Sequence, residues 1–327
     1  MNYKRFKKAF HNWVGEHEHT LLEGWNPTFY DAGSVGQTDE EKKIILDCNI
    51  DYYKDEGEAL RADFFMIMRG GALARFRLLD LRDRFNDGGW GEIFQQIKGN
   101  IDKINEVQSE IGDLPNADDF ETIKNRLIVR LLNYEKNKLA LKKAVYKRIG
   151  DMALVLYYRI KEEQNNLMSA KVYADTLEHW NMSLEEVWEF ALDRAKQLYP
   201  PRLCESLQMM NTGYAKAYFM PEDAPNLKLP YPERIYTLTT DPPVNGATAI
   251  FYKGVKERIA ELLGGSFYAA FTSWGEVAIH KADIWDADGI RNNVKENNKQ
   301  WAEEAVSDMV YYYDTETGEF GPVAEGK

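Results

Sequence analysis

The chain has 327 residues, of which 44% are hydrophobic and 29% are charged. A polypeptide of this length and composition buries a sizeable core and has room for two domains, which excludes a disordered or fibrous chain. The 53 acidic and 41 basic residues give a net charge of −12, which argues against a nucleic-acid partner because such a chain repels phosphate backbones.

The first helix is predicted over about residues 2–22, and its basic residues near position 5 are interpreted as its solvated side. Apolar runs at 43–53 and 63–68 predict two strands. A long second helix is predicted from Trp90 to Ile111, because apolar residues keep helical spacing for six turns before Gly112 and Pro115.

The middle of the chain predicts a strand pair followed by a helix. The segment 123–134 is either a helix or a strand, because it is short and apolar throughout. Residues 151–160 are apolar on both faces, as in a central strand, and predict a hairpin with residues 167–173. Ser183 and Glu186 form a capping box at the start of the next helix. The predicted buried stripe of that helix is Leu184, Val187, Trp188, Ala191 and Leu198.

Residues 203–233 mix Met, Gly and Pro without periodicity, which is typical of a linker-like surface excursion. Beyond it the patterns predict strands at 234–240, 247–252, 266–272, 276–281 and 306–313, and helices at 253–263 and 287–302. Strands grouped in hairpins, with helices between the groups, indicate an α+β fold with mostly antiparallel sheets covered by helices on one face. We expect an N-terminal helical or α+β domain at 1–120 and an α+β core at 121–327.

Metal and phosphate motifs are weak. The cluster HEH at 17–19, with His11 nearby, does not place His17 and His19 on one helix face, so surface histidines are favoured over a zinc site. In DIWDADGIRNNVKEN, the calcium-loop register puts Ile284 and Lys295 at ligand positions, which favours Asp286 as a helix cap instead. RGGAL and DGGWGE fit neither phosphate-loop pattern. The sequence therefore predicts no metal, no cofactor and no cofactor-binding residues.

Catalytic patterns are equally weak. AGSVG at 32–36 places Ser34 in an imperfect nucleophile elbow, and Ser273 lacks the flanking glycines. Carboxylate pairs such as Glu162 with Glu163 and Glu303 with Glu304 are interpreted as solvated faces, and the tyrosines at 311–313 as core. No catalytic residue is predicted.

Several stretches carry a resemblance to a known family, in the same order along the chain. They are LLNYEKNK at 131–138, DMALVLYYRI at 151–160, WNMSLEEVWEFA at 180–191, LYPPRL at 198–203, NGATAIFYKGVKERIAELLGGSFY at 245–268, SWGEVAIH at 273–280 and SDMVYYYDTETGEF at 307–320. On these the chain resembles DUF5688, an uncharacterised bacterial family common in gut Firmicutes. Residues 1–120 match less closely, and Thr176 stands where the family often shows a histidine. The resemblance implies no catalytic residues.

Two hypotheses of function follow. The first is a non-catalytic protein-binding or regulatory module, which the lack of a nucleophile, metal or phosphate motif favours. The second is a cryptic hydrolase that uses dispersed carboxylates or Ser34. We expect a cytoplasmic protein with a protein partner and no membrane partner, because MNYKRFKKAFHNW lacks the apolar core of a signal peptide and Cys48 and Cys204 have no disulfide or metal spacing.

Overall fold

The computed structural model describes residues 1–31, 56–69, 72–111, 115–163, 166–207, 218–219, 229, 231–302 and 304–324. The chain divides into two compact units, Met1–Leu114 and Pro115–Lys327. The predicted boundary between residues 120 and 121 stays a prediction. The predicted strand at 43–53 lies outside the described residues.

The N-terminal unit is a three-stranded antiparallel sheet with helices packed on it. Its described elements are the helices α1 (Tyr3–His17), α2 (Glu56–Ala59) and α3 (Leu78–Ile111) and the strands β1 (Asn26–Tyr30), β2 (Phe64–Arg69) and β3 (Ala72–Arg77), in the sheet order β1-β2-β3. Asn2 caps α1, and the ring of Phe10 packs edge-on against Phe65 of β2 at 5.1 Å. The first helix and the strand at 63–68 are confirmed, although α1 ends at His17 and not near residue 22.

The predicted helix from Trp90 to Ile111 is confirmed as the second segment of α3, and a first segment that was not predicted precedes it. Leu78 opens α3, and Gly89 interrupts it with a φ of 72°, so two helical segments meet at a kink. A positive φ is unstrained only for glycine, and the DGGWGE segment therefore provides a bend inside the helix. Strands β1 and β3 were not predicted from the sequence.

The C-terminal unit contains two antiparallel sheets. The four-stranded sheet has β4 (Leu127–Asn133), β5 (Tyr146–Ile149), β6 (Met152–Glu163) and β7 (Asn166–Lys171), with β6 paired to each of the other three. The seven-stranded sheet has β8 (Pro201–Glu205), β9 (Tyr218–Phe219), β10 (Tyr236–Thr240), β11 (Phe267–Ala270), β12 (Val277–Lys281), β13 (Val310–Tyr313) and β14 (Phe320–Pro322), in the order β14-β13-β11-β12-β10-β8-β9.

The remaining elements of this unit are helical. They are α4 (Phe120–Ile123), α5 (Ala174–His179), α6 (Leu184–Leu198), α7 (Val255–Leu263), α8 (Ala287–Gln300) and 3-10 helices at Lys124–Arg126 and Gly246–Phe251. A core of buried side chains lies between the two sheets and α6. The fold is α+β with antiparallel sheets, as predicted.

Most local signals in this unit are confirmed. Residues 152–157 of β6 are buried without alternation, and β6 forms the predicted hairpin with β7. Both hydrogen bonds of the capping box at Ser183 are present. Gly264 ends α7 at a φ of 72°, and Asp286 caps α8 through the backbone N–H of Gly289.

Two predictions in this unit are wrong. Leu184 is exposed and does not belong to the buried stripe of α6, because the helix has only just begun there and its first turn extends into solvent. The strand predicted at 247–252 is not present, because Gly246–Phe251 form a 3-10 helix. A Cβ on Gly246 would collide with the carbonyl oxygen of Gly275 and the hydroxyl of Thr239, so this backbone is pressed against its neighbours. A segment buried on all sides is apolar throughout, and such a pattern does not separate a strand from a helical turn.

The predicted excursion at 203–233 is described only in part. Residues 203–205 belong to β8, and residues 218–219 form β9, which pairs with β8. Residues 208–217, 220–228 and 230 lie outside the described residues.

Candidate functional site

The histidines of the N-terminal segment are held by separate neighbours. The ring of His11 stacks on Phe29 with centroids 3.6 Å apart, and the ring of His17 stacks on Trp13 at 4.1 Å. His17 Nδ1 lies 2.8 Å from the carbonyl oxygen of Trp13. Within the described residues, no group of three or more His, Cys, Asp or Glu side chains could hold a metal ion.

The serines of the two imperfect nucleophile motifs are Ser34 and Ser273, and the structure describes only the second of them. Ser34 lies outside the described residues. Ser273 Oγ accepts a hydrogen bond from the backbone N–H of Gly275 at 3.1 Å. Ser307, which was not singled out in the sequence, donates to Asp151 at 2.6 Å, and Tyr311 OH lies 2.8 Å from the same carboxylate.

The paired carboxylates and the tyrosine run take structural roles where they are described. Glu162 accepts hydrogen bonds from Arg159 at 2.6 Å and from Tyr199 at 3.0 Å. Burial raises the pKa of Tyr199 to about 12, so its hydroxyl stays protonated and donates. Tyr311 and Tyr313 are buried, as the core interpretation of 311–313 predicts, whereas Tyr312 is only half-buried. Glu303 lies outside the described residues.

A groove of about 930 Å³ lies in the C-terminal unit. One wall is a flank of α6, and the other is the segment that joins the 3-10 helix at 246–251 to α7. The groove is lined by Met182, Glu186, Glu189, Phe190, Leu192, Asp193, Lys196, Phe251, Lys253 and Gly254. Its volume lies near the upper end of the range for small-molecule sites. The apolar residues of its lining, called its floor below, are Met182, Phe190, Leu192 and Phe251.

Aromatic packing holds the floor of the groove in place. Phe190 packs edge-on against Phe120 with centroids 5.5 Å apart. On the opposite wall, Phe251 stacks on Phe271 at 6.2 Å and meets Phe320 edge-on at 6.1 Å. Rings fixed by other rings present apolar surface without losing much conformational entropy when a ligand binds.

The rim of the groove on α6 is acidic. Glu186, Glu189 and Asp193 follow each other at spacings of three and four residues, which places them along one helix flank. Hydrogen bonds from the hydroxyl and the backbone N–H of Ser183 lower the pKa of Glu186, which keeps it ionised. Lys196 Nζ donates to the carbonyl oxygen of Lys253 at 3.1 Å and so joins the two walls at one end.

Only one of the two walls of the groove could be predicted from the sequence. The acidic flank of α6 is readable from the spacing of its carboxylates, but such carboxylates had been assigned to solvated faces. The second wall could not be predicted, because the pattern at 247–252 predicts a strand, whereas tertiary contacts make Gly246–Phe251 a 3-10 helix.

A buried histidine lies on β12 in the same unit. His280 is 7% exposed, and its Nδ1 atom has no hydrogen-bond partner among the described residues. The ring meets Trp285 edge-on at 5.3 Å. Burial in this apolar setting disfavours the imidazolium and lowers the pKa of His280 to about 4.

We expect acidification to destabilise the C-terminal unit through His280. The unfolded histidine has a pKa of about 6.5, so between that pH and about 4 the unfolded state binds a proton that the folded state does not. The stability due to neutral His280 is therefore complete above pH 6.5 and is lost as the pH falls towards 4, by roughly 3 kcal/mol in all. The free energy of unfolding is measured for the wild type and for His280→Phe. The difference between these two values should change by this amount between about pH 7 and about pH 4. A difference that does not change with pH would contradict the assignment.

No helix among the described residues combines the length and the apolarity that a bilayer crossing needs. The comparison with protein families gives a match to DUF5688, described as a family of unknown function, over residues 67–315. Neither the curated proteins nor the solved structures contain a match to the chain.

Proposed function

Because the chain belongs to the DUF5688 family, whose function is unknown, its role has to be inferred from its own surfaces, and we propose that it is a non-catalytic protein-binding module. The site is the groove along α6, and its occupant is a basic amphipathic helical segment of a partner protein. The observation that carries the proposal is the combination of an apolar aromatic floor with an acidic rim on one helix flank. Amphipathic helices dock in grooves of this kind through their apolar face.

Charge complementarity selects a basic occupant. Three carboxylates and two lysines line the groove, and one of the lysines donates to a backbone carbonyl across it. The whole chain carries a net charge of −12, which attracts basic segments at long range and speeds their encounter. Met182 beside the phenylalanines adds a flexible apolar surface that adapts to the shape of a helix face. Residence in the bacterial cytoplasm and the absence of nucleic-acid and membrane partners are parts of the same proposal.

Site-specific photo-crosslinking in the cell of origin identifies the occupant. A benzoylphenylalanine at position 189 faces the groove, and one at position 184 is a matched control, because Leu184 is 49% exposed on the same helix and does not line the groove. A crosslink from position 189 alone to a segment rich in Lys, Arg and apolar residues would support the proposal. Crosslinks that are equal from both positions, or that reach an acidic or polar segment, would contradict it.

Charge reversal of the rim is expected to weaken binding. The double variant Glu189→Lys, Asp193→Lys turns two attractive contacts into repulsive ones, and we expect a fall in affinity of about tenfold or more at low salt, with a smaller effect at high salt. The matched control is Glu316→Lys, Glu319→Lys, which makes the same change in net charge on exposed residues near the β13–β14 turn. Affinity is measured by fluorescence anisotropy with a labelled Leu/Lys amphipathic helical peptide and with the crosslinked segment. Equal affinities of the two double variants would contradict the proposal.

A further inference from the structure

A second, smaller pocket lies in the C-terminal unit and is separate from the groove. Its volume is about 320 Å³. It is lined by Arg130, Leu131, Leu132, Leu167, Pro243, Val244, Asn245 and Trp274, none of which lines the groove. The walls therefore come from β4, from β7, from the loop after β10 and from the turn between β11 and β12.

Arg130 is the cation of this pocket, and it has no carboxylate partner in the part of the chain that the structure describes. Its guanidinium lies 4.9 Å from the ring centre of Tyr157 and makes a long hydrogen bond of 3.4 Å to the carbonyl oxygen of Leu167. The Nε atom is buried and has no acceptor among the described residues. Burial lowers the pKa of Arg130, although a guanidinium remains charged at neutral pH. A largely buried guanidinium without an anion is costly, and an incoming anion removes that cost.

Asn245 supplies a second donor. Its side chain is more than nine-tenths buried, with 8% exposed, and Nδ2 has no acceptor among the described residues. The residue has a φ of 50°, and its side chain makes no capping hydrogen bond to the 3-10 helix that follows. An unmet buried N–H of this kind destabilises the free protein, and a bound acceptor removes that cost.

We propose that this pocket binds a small monocarboxylate whose body is flat or branched and apolar. The carboxylate is placed against Arg130 and Asn245, and the apolar body against the leucines and the indole of Trp274, which is 48% exposed. Both unmet groups are N–H donors, so the ligand must present acceptors. The volume lies at the lower end of the range for ligand pockets, which fits a small molecule and excludes a folded partner.

The charge balance favours a carboxylate over a phosphate. Arg130 is the only charged side chain that lines the pocket among the described residues, so a single negative charge is neutralised and a second is left unpaired. A planar guanidinium matches a planar carboxylate in a two-point contact. The net charge of −12 further opposes a dianion.

The test uses the intact chain labelled with 5-fluorotryptophan. Fluorine NMR follows Trp274, identified by the loss of its signal in Trp274→Phe, while Trp301, 57% exposed and outside the pocket, is the internal reference. The probes are benzoate, indole-3-acetate and 4-methylpentanoate, each compared with its neutral amide, and inorganic phosphate. We expect a saturable shift of the Trp274 signal with at least one carboxylate below about 10 mM, and a response at least about tenfold weaker with its amide.

Two variants separate binding from folding. Arg130→Gln removes the cation, and isosteric Asn245→Asp replaces the donor with a negative charge; each is expected to lower carboxylate affinity by about tenfold or more. Arg130→Gln is also expected to leave the melting temperature unchanged or to raise it, because the free protein loses an unpaired buried charge. Arg148→Gln is the matched control, since Arg148 is exposed and does not line the pocket. The proposal is overturned if no carboxylate shifts Trp274, if the amides or phosphate bind as well, or if Arg130→Gln binds like the wild type.

Discussion

Replacing Trp188 with alanine is expected to lower the free energy of unfolding of the C-terminal unit by about 3–5 kcal/mol. Trp188 is only 1% exposed and lies in the core between the sheets. It occupies the buried face of α6 together with Val187, Ala191 and Ala195. Truncation removes the largest buried side chain of the helix and leaves a cavity that a helix fixed at its capping box cannot close. A loss of this size is a large fraction of the stability of an ordinary domain.

Hydrogen exchange of the buried β6 amides, measured by mass spectrometry in increasing urea, reports the stability of this unit. The matched control is Trp301→Ala, because Trp301 is 57% exposed and its loss should cost less than about 0.5 kcal/mol. If both alanine variants protect the β6 amides equally well, α6 does not contribute to the core as described.

A milder substitution tests the reason for the effect. The indole Nε1 of Trp188 has no hydrogen-bond partner among the described residues, and Lys147 Nζ lies 5.4 Å from the ring centre. Trp188→Phe keeps an aromatic ring in the cavity and removes the unmet N–H, so its cost should be well below that of alanine.

The elements that could be predicted are those whose cause is local. Ser183 and Glu186 mark the start of α6 within four residues. Gly264 marks the end of α7, and Asp286 marks the start of α8, in the same way. The long apolar run of β6 predicts a central strand because it is buried on both faces. Signals of this kind depend only on residues that are neighbours in the chain, so the folded structure shows them as predicted.

The elements that were missed have distant causes. Strand β1 exists because it pairs with β2, with Phe29 opposite Phe65 across a gap of 36 positions, and NPTFY alone carries no strand pattern. The 3-10 helix at 246–251 follows from the close contact of Gly246 with Thr239 and Gly275. Neither of these tertiary contacts can be inferred from the periodicity of the sequence.

The same distinction between local and distant causes applies to the groove and to the small pocket. The acidic flank of α6 is a helical repeat and can be read from the sequence, whereas the wall around Phe251 depends on the 3-10 helix. Arg130 lies in a segment that the sequence pattern left open between helix and strand, and only the folded structure places it and Asn245 in the lining of one pocket. That Arg130 is partly buried without a carboxylate partner among the described residues becomes visible only in the folded structure.

Replacing Asp151 with alanine is expected to destabilise the C-terminal unit by roughly 3–4 kcal/mol. Asp151 lies in the turn between β5 and β6, and its carboxylate accepts hydrogen bonds from Ser307 Oγ at 2.6 Å and from the backbone N–H of Asp308 at 3.0 Å. The hydroxyl of Tyr311 lies 2.8 Å from it. Tyr311 and Ser307 are both buried, so removal of the carboxylate leaves polar groups without a partner at the contact between the turn and β13. Burial raises the pKa of Tyr311, which keeps its hydroxyl protonated as a donor.

The substitution Asp151→Asn should lower the free energy of unfolding less than Asp151→Ala does, because the amide oxygen still accepts one of these hydrogen bonds. Asp283→Ala is the matched control: that carboxylate is 64% exposed in an ion pair with Lys281 and should cost less than about 0.5 kcal/mol. Urea dependence of β6 amide exchange gives the three free energies, and a double-mutant cycle of Asp151→Ala with Tyr311→Phe measures the coupling between the two side chains. A coupling below about 0.5 kcal/mol would mean that the hydroxyl is satisfied by the carbonyl oxygen of Ile149, which lies 3.0 Å away, and that Asp151 acts through Ser307 and Asp308 alone.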